Sequence, residues 1–336
     1  MILRSLAILL LCLCVALTWA WQNYQMFIAR SIVSEEPVVI EIEKGSSFRS
    51  IIQQLDIQIG FQQPDIDKLW FKVLARQQGL SNQLKAGEYQ LSVGMTPNEF
   101  LILLSSGKTL QHSITFPEGW AFKQIRQALI ADKNLKLTLT GISDAEILQK
   151  IGSDYTQPEG LFFPDTYVFT KHTTDLVILQ QAYQKMQQVL SEQWASKAER
   201  LPLKTAYEAL ILASIVEKET AVPSERPAIA GVFIRRLKKG MRLQTDPTVI
   251  YGMGESYQGN ISKKDLQTLT PYNTYKIKGL PPTPIAMPGM EAINAVLHPA
   301  EGNSLYFVAN GDGSHIFSAT LLEHNRAVNT FQRKQQ

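Results

Sequence analysis

The feature that most restricts this chain is an uncharged run near its start. Ser5–Trp21 reads SLAILLLCLCVALTWAW and carries no acidic or basic side chain. An apolar stretch of this length is near the lower limit for a helix that crosses a bilayer. Met1 and Arg4 put positive charge before it, and the next charges are Arg30, Glu35 and Glu36. That bias predicts a short cytoplasmic start at 1–4, an anchor over 5–24 and export of everything beyond. Trp19, Trp21 and Tyr24 read as interfacial anchors on the far side. The competing reading is a cleaved signal peptide, with Thr18-Trp19-Ala20 as an imperfect small-x-small site. Bulky Trp19 and Trp21 weigh against cleavage.

The 336 residues suffice for one large or several modest domains, and 45% hydrophobic with 19% charged content is ordinary for a globular chain. A net charge of +3, from 33 basic and 30 acidic residues spread along the chain, argues against nucleic acid as a partner. The local clusters Arg235-Arg236 and Lys238-Lys239 read as a solvated helix face. The two cysteines, Cys12 and Cys14, both lie in the apolar run and point about 200° apart on a helix, so they do not pair. A chain without later cysteines fits an oxidising compartment. The five histidines show no HxxxH spacing, so no metal site is expected.

After the anchor, Val38–Glu43 alternates apolar and charged residues in the manner of a half-buried strand. Ser46-Ser47 caps a helix over Phe48–Leu55, a second helix fits Pro64–Gln78, and Lys85–Leu91 returns as a strand. Thr96 caps Pro97–Ser105, which ends at Gly107. This strand-helix-helix-strand-helix unit over 37–108 resembles a LysM-like module, a fold often used to bind glycan. The bland alternative is a spacer. A larger domain follows over 113–333. It contains a helix ending at Ala131, a short one opened by Ser143-Asp144, a long one over Thr173–Lys197, and strands at Ser304–Asn310 and His315–Ser318. The fold class expected is α+β.

Lys204–Thr220 (KTAYEALILASIVEKET) has the propensity and length of a helix. Tyr207, Ser214 and Lys218 share a polar strip, and nearly everything else is apolar, so the helix should be buried. Glu217 lies above Leu210 and Ala213, and Glu219 above Leu212 and Ile215. The two point about 200° apart and cannot share one site. A carboxylate on such a helix is costly unless paired or protonated, and burial raises its pKa toward the range a general acid needs. The alternative is an ion pair with Arg226, Arg235 or Arg242. Helical geometry does not choose between the two glutamates.

The run Ala213–Thr220 (ASIVEKET), followed by Arg242–Gly252 (RLQTDPTVIYG), resembles the endolytic murein (peptidoglycan) transglycosylase family, of the MltG or YceG-like type. Pro271–Tyr275 (PYNTY), Gly279–Pro282 (GLPP), His298–Ala300 (HPA), Tyr306–Ala309 (YFVA) and Gly313–Phe317 (GSHIF) continue the likeness in order. Lys85–Tyr89, Glu159-Gly160 and Pro164–Tyr167 extend it upstream. One local difference is Pro282-Thr283-Pro284 after the GLPP turn.

The resemblance implies that Glu219 is the catalytic acid/base and Glu217 structural. It implies a cleft lined by Gln244, Thr245, Asp246, Tyr251, Asn273, Tyr275 and His315. Read alone, Gln244–Thr248 is equally a turn stabilised by Asp246-Pro247, and His315 is equally a satisfied buried histidine. Asn273 and Tyr275 face one groove if their stretch is extended. Asp165 reads as a loop pin. The implied activity is cleavage within peptidoglycan glycan strands to a 1,6-anhydromuramyl end, with no cofactor. The implied setting is a single-pass protein of the inner membrane whose catalytic part is periplasmic. Peptidoglycan synthases (penicillin-binding proteins) are the implied partners. The rivals are a muramidase-type hydrolase on the same site and a non-catalytic peptidoglycan-binding division scaffold. No GxSxG elbow or HExxH motif supports an esterase or protease.

Overall fold

The computed structural model describes residues 2–331. Met1, expected to add charge before the anchor, and residues 332–333 at the expected end of the large domain lie outside the described residues. The chain divides into two compact units, one of Met1–His112 with Phe169–His172, the other of Ser113–Val168 with Thr173–Gln336. The architecture is mixed α+β: helices dominate, and the strands form three two-stranded sheets among the described residues.

The first unit opens with α1 (Ile2–Ala29), the one described helix long and apolar enough to cross a membrane. Then come β1 (Val38–Ile42), α2 (Phe48–Ile59), α3 (Pro64–Gln77), β2 (Gly87–Leu91) and α4 (Pro97–Ser106). β1 and β2 pair antiparallel, Val38 opposite Leu91 and Ile42 opposite Gly87. Their alternation turns Ile40, Ile42, Tyr89 and Leu91 into the core. The helices supply Ile51, Leu55, Phe71, Leu74, Phe100 and Leu104. Local signals set the helix starts. The Ser47 hydroxyl accepts the Ser50 N–H, and Thr96 with Glu99 forms a reciprocal capping box. Gly107, left-handed at φ 73°, ends α4.

The last turns of α1 belong to this core. Phe27 is 2% exposed and meets Phe71 edge-on, with ring centroids 5.0 Å apart. Tyr24 corrects the sequence expectation: it is buried rather than interfacial, packs on Trp70 at 5.2 Å, and its hydroxyl donates to Gln77. Asn23 accepts the Trp70 indole N–H at 2.7 Å. The helix therefore continues five residues past the expected anchor, because its final turns have a hydrophobic surface to cover.

The second unit contains β3 (Gln111–Thr115), α5 (Phe122–Ala131), α6 (Asp144–Lys150), β4 (Thr166–Thr170), α7 (Asp175–Ala195), α8 (Ala206–Glu219), α9 (Arg226–Lys238), α10 (Asp246–Met253), α11 (Lys263–Gln267), α12 (Met290–Leu297), β5 (Tyr306–Ala309), β6 (His315–Ser318) and α13 (Leu321–Phe331). The first residues of β3 and the last of β4 count with the other unit. α8 is wrapped by α7, α9 and α12, and every residue from Ala209 to Val216 is buried. That is the expected fate of a helix apolar on nearly all sides. Its polar strip faces protein. Ser214 Oγ donates to the Ile211 carbonyl and accepts the Ile285 N–H. Tyr207 stacks on Tyr155, and Lys218 Nζ donates to the Gly119 carbonyl. β5 and β6 form an antiparallel hairpin with Tyr306 opposite Ser318 and Ala309 opposite His315.

The pair Arg235-Arg236 also departs from the sequence reading. These side chains are not on a solvated face. Arg235 donates to the carbonyls of Ser304 and Ala300. Arg236, 7% exposed, donates to Leu305 and Leu243, both at 2.7 Å. The guanidinium forks thus satisfy carbonyls of the loops packed around α9.

Candidate active site

The helix α8 ends at Glu219 because Thr220 turns to extended backbone, φ −139° and ψ 137°. The Thr220 hydroxyl accepts the Val222 N–H and holds that turn. Two glutamates therefore leave the last helical turn in different directions, into different settings.

Glu217 enters a charge cluster. Arg226 Nη2 donates to it at 2.9 Å and the Gly289 N–H at 3.0 Å. Arg226 also reaches Glu291 at 2.9 Å. The Glu217 and Arg226 side chains are 5% and 8% exposed. A buried carboxylate with a buried guanidinium and a backbone donor is neutralised in place. Glu217 thereby ties α8 to α9 and to the start of α12.

Glu219 has a different setting. No Lys, Arg or His among the described residues forms an ion pair with it. Among the described residues its side-chain hydrogen bond comes from the Thr245 hydroxyl, 2.6 Å from Oε2. The residue is half-buried and opens on a cleft of about 590 Å³. Burial pushes its pKa above the usual carboxylate range. The Thr245 bond pulls the other way, the Asp246 charge pushes up again, and His315 and Arg236 oppose it. A carboxyl group whose proton burial holds more tightly than usual, in an open polar cleft, is equipped to give a proton.

The cleft gathers most of the residues expected from sequence. Gln244, Thr245, Asp246, Tyr275 and His315 all line it with Glu219. Gln244 is exposed and takes a positive φ of 51°. Thr245 is buried and Asp246 is exposed, so the chain turns alternate side chains inward and outward. The Tyr275 hydroxyl donates to Asp246 Oδ1 at 2.7 Å. Glu225 clamps His315: its two carboxylate oxygens accept the backbone N–H at 2.8 Å and the ring Nδ1 at 2.7 Å. That bond to Nδ1 leaves Nε2 as the ring's other polar atom.

Tyr251 and Asn273 are not brought to this cleft. Tyr251 donates to Glu159 at 3.3 Å and packs edge-on against Tyr272. Asn273 is 1% exposed; its amide donates to the carbonyls of Asp265, Leu266 and Thr268, and its Oδ1 accepts the Tyr275 N–H. Residues 271–278 are turns rather than extended chain, which removes the alternation that would have put Asn273 beside Tyr275. Asp165 pins its loop through Lys185 and the Thr166 N–H.

Sequence reasoning missed Arg236, Tyr306 and His324. Arg236 lies over the Tyr306 ring at 5.2 Å, and His324 stacks on Tyr306 at 5.3 Å. All three line the cleft. The signals available were the place of Tyr306 in the YFVA motif and of Arg236 in the Arg235-Arg236 pair after the apolar Val232-Phe233-Ile234. Among the described residues, no group of three or more His, Cys, Asp or Glu side chains is arranged to hold a metal ion.

Known proteins give this arrangement a family. A protein of Bacillus subtilis named endolytic murein transglycosylase is 34% identical over 314 residues, covering 88% of this chain and 84% of that protein. A Streptococcus pneumoniae protein of the same name is 30% identical over 329 residues, and the match covers 58% of its length. The crystal structure of a yceG-like protein from Listeria monocytogenes, at 2.6 Å, aligns with a TM-score of 0.53 and 30% identity over 87% of this chain and 99% of that one. The sequence model of the YceG-like family matches residues 40–330, a span that contains the Glu219 cleft, and the chain belongs to that family.

Proposed function

We propose that this protein is a peptidoglycan lytic transglycosylase, a lyase that cuts the MurNAc–GlcNAc bond within glycan strands. The observation that carries the reading is Glu219: a half-buried carboxyl group, with no ion pair among the described residues, in a polar cleft and held by one hydroxyl. The names of the relatives support murein as the substrate.

The chemistry follows from a single acid/base. Protonated Glu219 gives its proton to the glycosidic oxygen as the bond to C1 breaks, and the sugar's own 2-acetamido group assists at C1. The carboxylate then takes the proton of the C6 hydroxyl, whose oxygen closes on C1. The 1,6-anhydro ring forms, Glu219 is protonated again, and no water is consumed. This sequence calls on neither metal nor cofactor. Exposed Gln244 and Asp246, with Tyr275 and His315, are the groups placed to hold the sugars.

The hydrolytic reading draws support from one feature, the Asp246 carboxylate on the same cleft. Retaining and inverting glycosidases use two carboxylates, and product mass separates the outcomes because the anhydro end is lighter by one water. The test is digestion of purified glycan strands by the full chain in detergent, wild type against Glu219→Gln. Anhydro-ended products from the wild type and none from the variant are expected. Undiminished cleavage by Glu219→Gln would remove Glu219 from the mechanism, and reducing muramic ends would make the enzyme a muramidase. Retention of glycan without cleavage would make it a scaffold.

The wider proposal places α1 in the inner membrane as a single-pass anchor, with the rest periplasmic. Residues 37–108 then act as a LysM-like module that binds glycan, and 113–333 as the catalytic domain. A tethered cutter of this kind meets newly made strands and ends their elongation, with peptidoglycan synthases such as penicillin-binding proteins as partners. The apolar length of α1 supports the anchor.

A further inference from the structure

Thr245 was expected to meet substrate, yet it is 2% exposed and its hydroxyl points to Glu219. Its surroundings show why. Thr245, Thr248 and Thr274 form a buried group of hydroxyls, the last two fully enclosed. The Thr248 hydroxyl donates to the Thr245 carbonyl at 2.8 Å. With that hydrogen spent, the Thr274 hydrogen is directed to Thr248 Oγ1, 2.8 Å away, or to the Thr245 carbonyl at 3.4 Å. Thr274 Oγ1 in turn accepts the Thr245 N–H at 3.1 Å. Both neighbouring hydroxyl hydrogens are thus directed away from Thr245 Oγ1, whose own hydrogen goes to Glu219 Oε2.

Resting on the acid/base reading of Glu219, we propose that Thr245 is a positioning residue that keeps Oε2 unprotonated and makes Oε1 the atom that delivers and recovers the proton. A carboxyl group can give its proton from either oxygen, but only one can face the scissile bond. A donor fixed on Oε2 excludes the proton from that atom and leaves it on Oε1. When Glu219 ionises, the same bond becomes charge-assisted and strengthens. One hydroxyl thus orients the acid and supports the base. This bond is also the strongest influence opposing the rise that burial imposes on Glu219.

The experiment measures kcat and KM against pH for the full chain in detergent on a defined glycan oligomer. Thr245→Val is isosteric and lacks the donor. Because the first step needs protonated Glu219, activity falls on the alkaline side. Losing a bond that favours the ionised form raises the Glu219 pKa, so the alkaline limb in Thr245→Val moves up by about one pH unit. Its kcat falls on the order of tenfold with KM little changed. Thr245→Ser, which keeps the hydroxyl, returns both limb and kcat toward wild type. Thr245→Ala removes the donor without placing a methyl where the hydroxyl was, and it moves the limb the same way. An unmoved limb in both Val and Ala variants overturns the proposal. A loss confined to KM also overturns it, since Thr245 would then be a substrate contact. Glu219→Gln runs beside these variants: if it keeps activity, the acid/base reading itself fails; if it is inactive while Thr245→Val behaves as wild type, only the role of Thr245 falls.

Discussion

Two buried carboxylates in the second unit illustrate how differently one side-chain type is used. Glu217 is paired with Arg226, whereas Glu159 has no cationic partner among the described residues. Glu159 is 6% exposed and accepts the Phe122 N–H at 3.0 Å, capping α5 from a distant loop. Burial pushes its pKa from 4.5 to about 7, against the pull of the Phe122, Tyr251 and Gly160 donors. The fold therefore holds a proton that the unfolded chain releases. That preference stabilises fully below pH 4.5 and is lost as pH rises through 7, a difference of up to about 3 kcal/mol. Glu159→Gln mimics the protonated form. In urea titrations the variant should match wild type near pH 4.5 and exceed it at pH 8, and an unchanged pH dependence would show that Glu159 does not titrate in this window. Sequence marked Glu159 as part of a motif but gave no hint of this environment, because two of its donors come from α5 and α10, remote in the chain.

Helices and strands were largely legible where their determinants are local. Ser47, Thr96 and Ser143 cap the helices they precede, and each accepts the N–H three residues on. The strand His315–Ser318 lies where its apolar run put it. What the sequence concealed was which polar groups face inward. Asn273, Tyr251 and Arg236 find partners on other elements, and no periodicity within their own segment encodes that choice. Gly231 on α9 is a similar case. A methyl there would lie 2.5 Å from the Ala300 carbonyl oxygen and against the Arg235 guanidinium. Helix propensity favours Gly231→Ala by up to about 1 kcal/mol. The clash is with backbone, which cannot swing aside, and overpacking costs about 1–3 kcal/mol. The net change should be a lower melting temperature by scanning calorimetry; a higher one would mean that the 300 loop yields freely.

At the scale of the whole chain, the first unit depends on its apolar helix. Removing residues before Asn23 leaves Tyr24 and Phe27 on Trp70 and Phe71. Removing residues before Arg30 strips both rings from the core. Loss of a buried phenylalanine typically costs about 3–5 kcal/mol. A chain starting at Asn23 should keep slow hydrogen exchange across α3 and α4, and one starting at Arg30 should lose it. Equal protection in both would show that this core closes without α1. A cut after Ala20, the other reading of the apolar run, leaves these contacts intact. The run's hydrophobicity was plain in the sequence, but the packing of the turns that follow it was not, since Tyr24 suits a bilayer interface and a protein interior equally well.

That continuity has a mechanical consequence. About 20 residues of helix suffice to span a hydrocarbon layer, and α1 passes from its apolar stretch into packed protein with no intervening loop. On the proposed anchoring, the first unit would be mounted on a stiff post instead of hanging from a string. Its heading would then be inherited from the tilt and roll of the post, and each residue inserted between Trp21 and Asn23 would turn it about 100° around the helix axis.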